Sequence, residues 1–68
     1  MKISYDREKD ILMIEMKDEG ILDHAEQNGI FITHFDTEGQ ILLLEILDAS
    51  TFLSSLIKAT IRGKCRFL

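Results

Sequence analysis

The chain has 68 residues, 46% of them hydrophobic, a formal net charge of −4, and a single cysteine, Cys65. That length holds one domain, residues 1–68, and a chain this short buries only about 60% of the surface its unfolded form exposes. One cysteine excludes an internal disulfide, the apolar runs are far shorter than a membrane span, and the residues after Lys2 form no apolar signal-peptide core, so a cytoplasmic, soluble protein is expected.

KISY, residues 2–5, reads as a short strand, and DREK, residues 6–9, as a turn opened by Asp6. DILMIEMK returns as the partner strand, with Leu12, Ile14 and Met16 on one face and Ile11 and Met13 on the other, so residues 1–17 form a β-hairpin. Between Gly20 and the Asn28-Gly29 pair, ILDHAEQ reads either as a loop or as a short edge strand guarded by Asp23 and Glu26. GIFITHFD, residues 29–36, is a strand with Ile30, Ile32 and His34 facing one way and Phe31, Thr33 and Phe35 the other. DTEG, residues 36–39, is a type I turn, with Asp at the first position and Gly at the fourth. QILLLEIL then pairs back, with Ile41, Leu43, Glu45 and Leu47 on one face and Leu42, Leu44 and Ile46 on the other.

Asp48 is the expected N-cap of a helix over about residues 49–62, with Leu47 and Phe52 at the spacing of a hydrophobic staple and Ser50 as a competing cap. Phe52, Leu53, Leu56, Ile57 and Ile61 form its apolar stripe. Lys58 and Arg62 suit the C-terminal end of the helix dipole, Gly63 is a fitting C′ residue, and residues 63–68 form a basic tail. The expected fold is therefore α+β: a small antiparallel β-meander of four or five strands over residues 1–48, followed by one C-terminal helix packed on one sheet face.

The central strands are apolar on both faces, whereas a half-exposed strand alternates apolar and polar residues. A helix of about 12 residues is roughly 18 Å long and covers one face. The second face needs another cover, which predicts self-association, most simply as a twofold homodimer. Sheets stacked face to face or helices exchanged between copies would each supply it. The expected interface residues are Ile11, Met13, Leu43, Glu45 and Leu47. Glu45 is the odd member: a buried unpaired carboxylate is too costly, so it should sit at the rim of the interface and pair with Lys2, Lys9, Lys17 or a basic residue of a second copy.

The charge is unevenly distributed. Residues 1–50 carry twelve acidic and four basic side chains, a net of −8, whereas residues 51–68 carry Lys58, Arg62, Lys64 and Arg66 and no acid. An acidic body disfavours direct nucleic-acid binding and suits a small basic protein partner, although the same charge also serves plain solubility. The short basic tail gives no membrane anchor of useful length.

The sequence contains no catalytic set, cofactor motif or phosphate loop. His24 and His34 have no metal-ligand spacing, and His34 is expected as a half-buried polar group at a strand end. Cys65 lacks a neighbour that would activate it. Asp6, Glu8, Asp10, Asp36 and Glu38 lie in two turns. If those turns met at one end of the sheet, the carboxylates and His34 could line an intersubunit pocket, the alternative reading of a ligand-binding or small enzymatic domain. Solvated turns ordinarily carry such residues, and the non-catalytic reading is the one expected here.

YDREKDILMIEM and GIFITHFDTEGQILLLEILDAS together resemble the small bacterial domain-of-unknown-function family numbered 2283. Tyr5-Asp6 matches the family's opening, Asp10 to Ile14 its strand, Asp36 to Gly39 its turn, and Glu45 to Ser50 its ending. The likeness covers residues 1–50. Met13 stands where the family often has tyrosine and Leu43 where it often has glycine, which makes the face shared with Ile11 and Leu47 more apolar. The resemblance implies no accepted activity, and an antitoxin-like role for members encoded beside small basic proteins that resemble ribonuclease toxins.

Overall fold

The computed structural model describes residues 1–61. In chain order the elements are β1 (Lys2–Asp6), β2 (Ile11–Glu15), β3 (Leu22–Asn28), β4 (Phe31–Asp36), β5 (Ile41–Ile46) and α1 (Ala49–Ile61). The strands form one antiparallel sheet in the order β1-β2-β5-β4-β3. β3, β4 and β5 are a meander, and the β1–β2 hairpin joins it along β5. The fold is the expected α+β arrangement, with the undecided segment 21–27 resolved as an edge strand whose seven residues are all exposed.

Each connection follows from its residues. Asn28 pairs with Phe31, so Gly29 and Ile30 form the two-residue hairpin turn, and Gly29 takes a left-handed φ of 61°. The strand therefore starts at Phe31, two residues later than its apolar pattern predicts. At the β4–β5 turn the N–H of Gly39 donates to the Asp36 carbonyl at 3.1 Å, and Gly39 has a φ of 81°. This is a type I turn closed by a left-handed glycine. The buried Asp36 organises it: its Oδ1 accepts the N–H groups of Glu38 (2.9 Å) and Gln40 (2.8 Å), and its Oδ2 pairs with the Lys17 ammonium. The hydrogen bond from Lys17, and then the backbone donors of Gln40 and Glu38, hold the Asp36 carboxyl below the usual carboxylate range. The β2–β3 connection passes against β5, where a Cβ on Gly20 would lie 2.8 Å from Leu42 Cδ2.

Two bulges break strict alternation. His34 pairs with Leu43 but Phe35 pairs with Ile41, which leaves Leu42 as an extra residue in β5. Asp23 is the corresponding extra residue in β3. Ile41 thus lies opposite Phe35, and the expected grouping of Ile41 with Leu43 and Glu45 ends at the bulge.

The helix begins differently from its sequence signal. Asp48 has a φ of 48°, a left-handed conformation that an N-cap in the usual β region does not have. The side-chain cap comes instead from Asp10, itself at a φ of 54° in the β1–β2 turn. The Asp10 carbonyl accepts the Ala49 N–H at 3.0 Å, Oδ1 accepts the Ser50 N–H at 3.1 Å, and Oδ2 accepts the Ser50 hydroxyl at 2.7 Å. These bonds satisfy helix donors that otherwise have no partner. Tyr5 donates its phenol O–H to the same carboxylate at 2.6 Å. That bond, followed by those from Ser50, lowers the Asp10 pKa, and the bond to Asp10 raises that of Tyr5.

From this anchor α1 runs out with Phe52 edge-on to Phe31, ring centroids 5.4 Å apart. Phe31 shares a cross-strand row with Ile46 and Leu12, and this is the helix side of the sheet. Ala49 is buried, and Phe52, Leu56 and Ala59 are half-buried at helical spacing. Leu53, Ile57 and Ile61, expected in the packed stripe, form a separate row that is 36%, 57% and 79% exposed. The readings of Arg62 as a helix residue, Gly63 as C′, Cys65 as a bystander and 63–68 as a basic tail lie outside the described residues. No helix among the described residues is long and apolar enough to cross a membrane.

Ile46 is the one large apolar side chain that is buried among the described residues. Ile46→Ala should cost roughly 2–4 kcal/mol, read from urea unfolding, because the cavity adds to the lost transfer energy. The pH dependence has a definite sign. Asp10 and Asp36 are depressed, so their contribution to stability is present above the ordinary carboxylate range and is lost as pH falls through their folded-state values. The melting temperature should therefore fall in acid. Asp36→Asn, which keeps a turn acceptor but loses the Lys17 pair, should melt lower at neutral pH and lose less on acidification.

Candidate interaction surface

Cross-strand register fixes what lies on the side of the sheet away from the Phe31–Ile46–Leu12 row. Ser4, Met13, Glu45, Ile32 and Gln27 follow one another across the five strands in one row. Lys2, Glu15, Leu43, His34 and Ala25 form the next. Beyond Met13, Ile11 pairs with Asp6, and the N–H of Leu47 donates to the Ile30 carbonyl at 2.8 Å. Side chains at alternate strand positions share a face, so Ile11, Met13, Ile32 and Leu43 lie together, opposite the helix. All four are half-buried. Of the expected interface residues, Met13 and Glu45 are direct cross-strand partners, Leu43 lies beside Glu15, Ile11 begins β2, and Leu47 immediately follows β5.

Glu45 has a partner the sequence did not suggest. His34 Nε2 lies 2.7 Å from Glu45 Oε1, and the two side chains are 21% and 22% exposed. The pair joins β4 to β5 diagonally, because Ile32 is opposite Glu45 and His34 is opposite Leu43. Lys2, Lys9 and Lys17 were the expected partners within the chain. Lys17 is instead bound to Asp36 and donates to Gln40 Oε1 at 2.8 Å. His34 is in the middle of β4 rather than at its end, and Glu45 lies between Met13 and Ile32 in its cross-strand row.

The bulge at Leu42 makes this pair. A hairpin continued from the Phe35–Ile41 pairing without the extra residue would set His34 opposite Leu42, whereas the bulge sets it opposite Leu43. A one-residue slip moves a whole strand's side chains to the other face. The signal that could have found the pair is the grouping of His34 with Ile32 and of Glu45 with Leu43, two rows that match once the slip is known.

The carboxylate-rich turns do not meet. Tyr5 lies opposite Leu12 and Leu12 opposite Ile46, which puts the 6–10 turn at the helix end of the sheet. The 36–40 turn closes the opposite end, beyond the Phe35–Ile41 pair. Asp6 Oδ1 accepts the N–H groups of Glu8 and Lys9, Asp10 holds Tyr5 and Ser50, and Asp36 holds its own turn. A groove of about 440 Å³ runs beside the lower turn, lined by Lys17, Asp18, Glu19, Ile21, Asp36 and Glu38 among others; it begins two residues along β4 from His34, and neither His34 nor Glu45 lines it. Among the described residues no group of three or more histidines, cysteines or acids could hold a metal ion. A histidine–carboxylate pair can move a proton, but it needs a substrate cleft beside it. This pair stands on the helix-free sheet face among the half-buried Met13, Ile32 and Leu43.

No curated protein and no solved structure matches the chain. A family model does match, over residues 2–50, and it covers Tyr5, Asp10, Asp36, Glu45 and Ser50, the residues that anchor the helix, close the lower turn and bond His34. On that match the chain belongs to the family described as "Protein of unknown function (DUF2283)".

Proposed function

We propose that this chain is a non-catalytic, self-associating protein-interaction domain of the cytoplasm. One observation carries the reading: among the described residues only Asp36, Ile46 and Ala49 are buried, so the isolated chain encloses almost no core. Ile3, Tyr5, Met16, Leu53, Ile57 and Ile61 remain substantially exposed. Apolar surface on this scale, in a chain too small to cover it, is characteristic of a subunit. A homodimer is the simplest closed assembly.

The acidic charge supports a second layer of the same reading, an antitoxin-like masking of a small basic protein. Asp18, Glu19, Asp23 and Glu26 stand exposed along the β2–β3 connection and on β3, with His24 Nδ1 2.7 Å from the Asp23 carboxylate. β3 is an edge strand, with one row of backbone groups unpaired by the sheet. A basic partner would be steered to this edge by charge, and its affinity would fall as salt is added.

Light scattering at micromolar concentration should give at least a dimer, and a monomer would overturn the self-association. Glu45→Leu should keep the circular dichroism of the wild type and change its dissociation constant. If both stay the same, Glu45 takes no part in association. For the basic partner, a tagged chain expressed in its native cell should retain a small basic protein that is released by salt and lost on Asp23→Ala/Glu26→Ala. Recovery of no such protein removes the antitoxin-like part.

A further inference from the structure

β3 is exposed at all seven residues and lies at one edge of the sheet. The bonds of β4 show which of its backbone groups point outward. The Ile30 carbonyl accepts from Leu47 and the Asp36 N–H donates to Gln40, so Ile32 and His34, at the alternate positions between them, also bond towards β5. Phe31, Thr33 and Phe35 therefore bond towards β3, where their partners are Asn28, Glu26 and His24. The N–H and C=O groups of Ala25 and Gln27 are left pointing away from the sheet, and no other backbone group among the described residues bonds them. We infer that an extended, basic segment of a partner protein pairs with these groups and adds to β3 as a sixth strand. The inference rests on the basic-partner reading and gives its mode of contact.

Charge identifies the occupant. From Asp18 to Ile57 the sequence has no lysine or arginine. Asp18, Glu19, Asp23 and Glu26 stand exposed on β3 and its approach. His24, bonded to Asp23, offsets one of these four acids when protonated and none when neutral, so the edge is negative in either state. The neighbouring strands do not change the sign: Lys17 is bound to Asp36, and His34, opposite Ala25, is bonded to Glu45. The other edge, β1, carries Lys2 and Asp6 and has no such excess. Pairing β3 with β3 of a second copy would gather the acids of both along one seam, with His24 as the one cationic group able to answer them. A basic strand supplies the missing charge.

Register also sets the pattern of the added strand. Glu26 lies opposite Thr33 and Asn28 opposite Phe31, on the helix side, where His24 stacks on Phe35 with ring centroids 5.0 Å apart. Ala25 and Gln27 lie on the other side, opposite His34 and Ile32. Side chains of a strand alternate between faces, so basic residues at every second position of the partner fall beside Glu26. The intervening residues fall beside Ala25 and Gln27, where uncharged side chains fit. The bulge at Asp23 interrupts the regular ladder and confines the pairing to residues 24–28. Main-chain bonds supply affinity in such strand addition, and the alternate side chains supply selectivity.

Two synthetic peptides of equal charge test this on the full chain, one alternating lysine with valine and one alternating lysine with proline, which cannot form a ladder. The lysine–valine peptide should bind about tenfold more tightly or better. At ten times its dissociation constant it should slow hydrogen exchange of the Ala25 and Gln27 amides by about tenfold and leave β1 unchanged. Glu26→Lys, at an exposed position, should keep the fold and weaken binding by about fivefold. Equal binding of the two peptides would overturn strand addition and leave charge steering by a basic partner standing. Protection of β1 in place of β3 would overturn it as well. Ala25 and Gln27 amides that become protected in the peptide-free chain as its concentration rises would give the edge to a second copy. Binding of neither peptide would remove the strand addition and the basic partner at this edge together.

Discussion

Asp10 joins the β1–β2 hairpin to the start of the helix, 40 residues further along the chain. It receives the phenol of Tyr5 from β1, the hydroxyl and N–H of Ser50 from the helix, and through its own carbonyl the N–H of Ala49. Besides that junction, α1 is held by the short Leu47–Asp48 link, the buried Ala49 and the Phe52–Phe31 contact. The Ser50 bonds also place a negative charge at the positive end of the helix dipole. Both Asp10 and Asp48 adopt left-handed backbone conformations, which aspartate tolerates better than most side chains. The sharp entry into the helix and the turn that caps it therefore both depend on aspartates in that conformation.

Asp36 plays the matching part at the other end of the sheet. It closes the β4–β5 turn and fastens the β2–β3 connection through Lys17. That turn determines where β5 begins, and the bulge at Leu42 then determines which β5 side chains meet which of β4. His34 and Glu45 are brought together by this register. The position of the polar pair on the helix-free face is thus a consequence of turn chemistry at the end of the hairpin, and an altered turn would be felt on that face through strand register.

Some of this was legible in the residues and some could not be. The alternation of DILMIEM, the double apolar faces of QILLLEIL and the Asp36–Gly39 turn have local causes, and a local reading finds them. β3 stayed undecided because LDHAEQN buries no side chain and owes its conformation to backbone pairing with β4. The true cap escaped because it comes from 40 residues away, while Asp48 supplied an adequate local signal at the expected position. The split of the helix stripe into a packed and an exposed row depends on how α1 leaves its anchor, which periodicity does not specify. The His34–Glu45 pair was hidden by a single extra residue.

A thin core has a thermodynamic consequence for a self-associating chain. A few buried side chains contribute only a small part of the free energy needed to offset the conformational entropy lost by the residues described. Apolar area covered by a second copy adds to the same balance, because the unfolded chain does not present the folded surface. Folding and association then share one driving force, and the apparent stability rises with protein concentration. The mutations that weaken such a subunit most are those at the surface it shares. The bonded polar pair on the helix-free face would limit any surface that covers it: one that separated His34 from Glu45 would have to offset a desolvated, unpaired carboxylate.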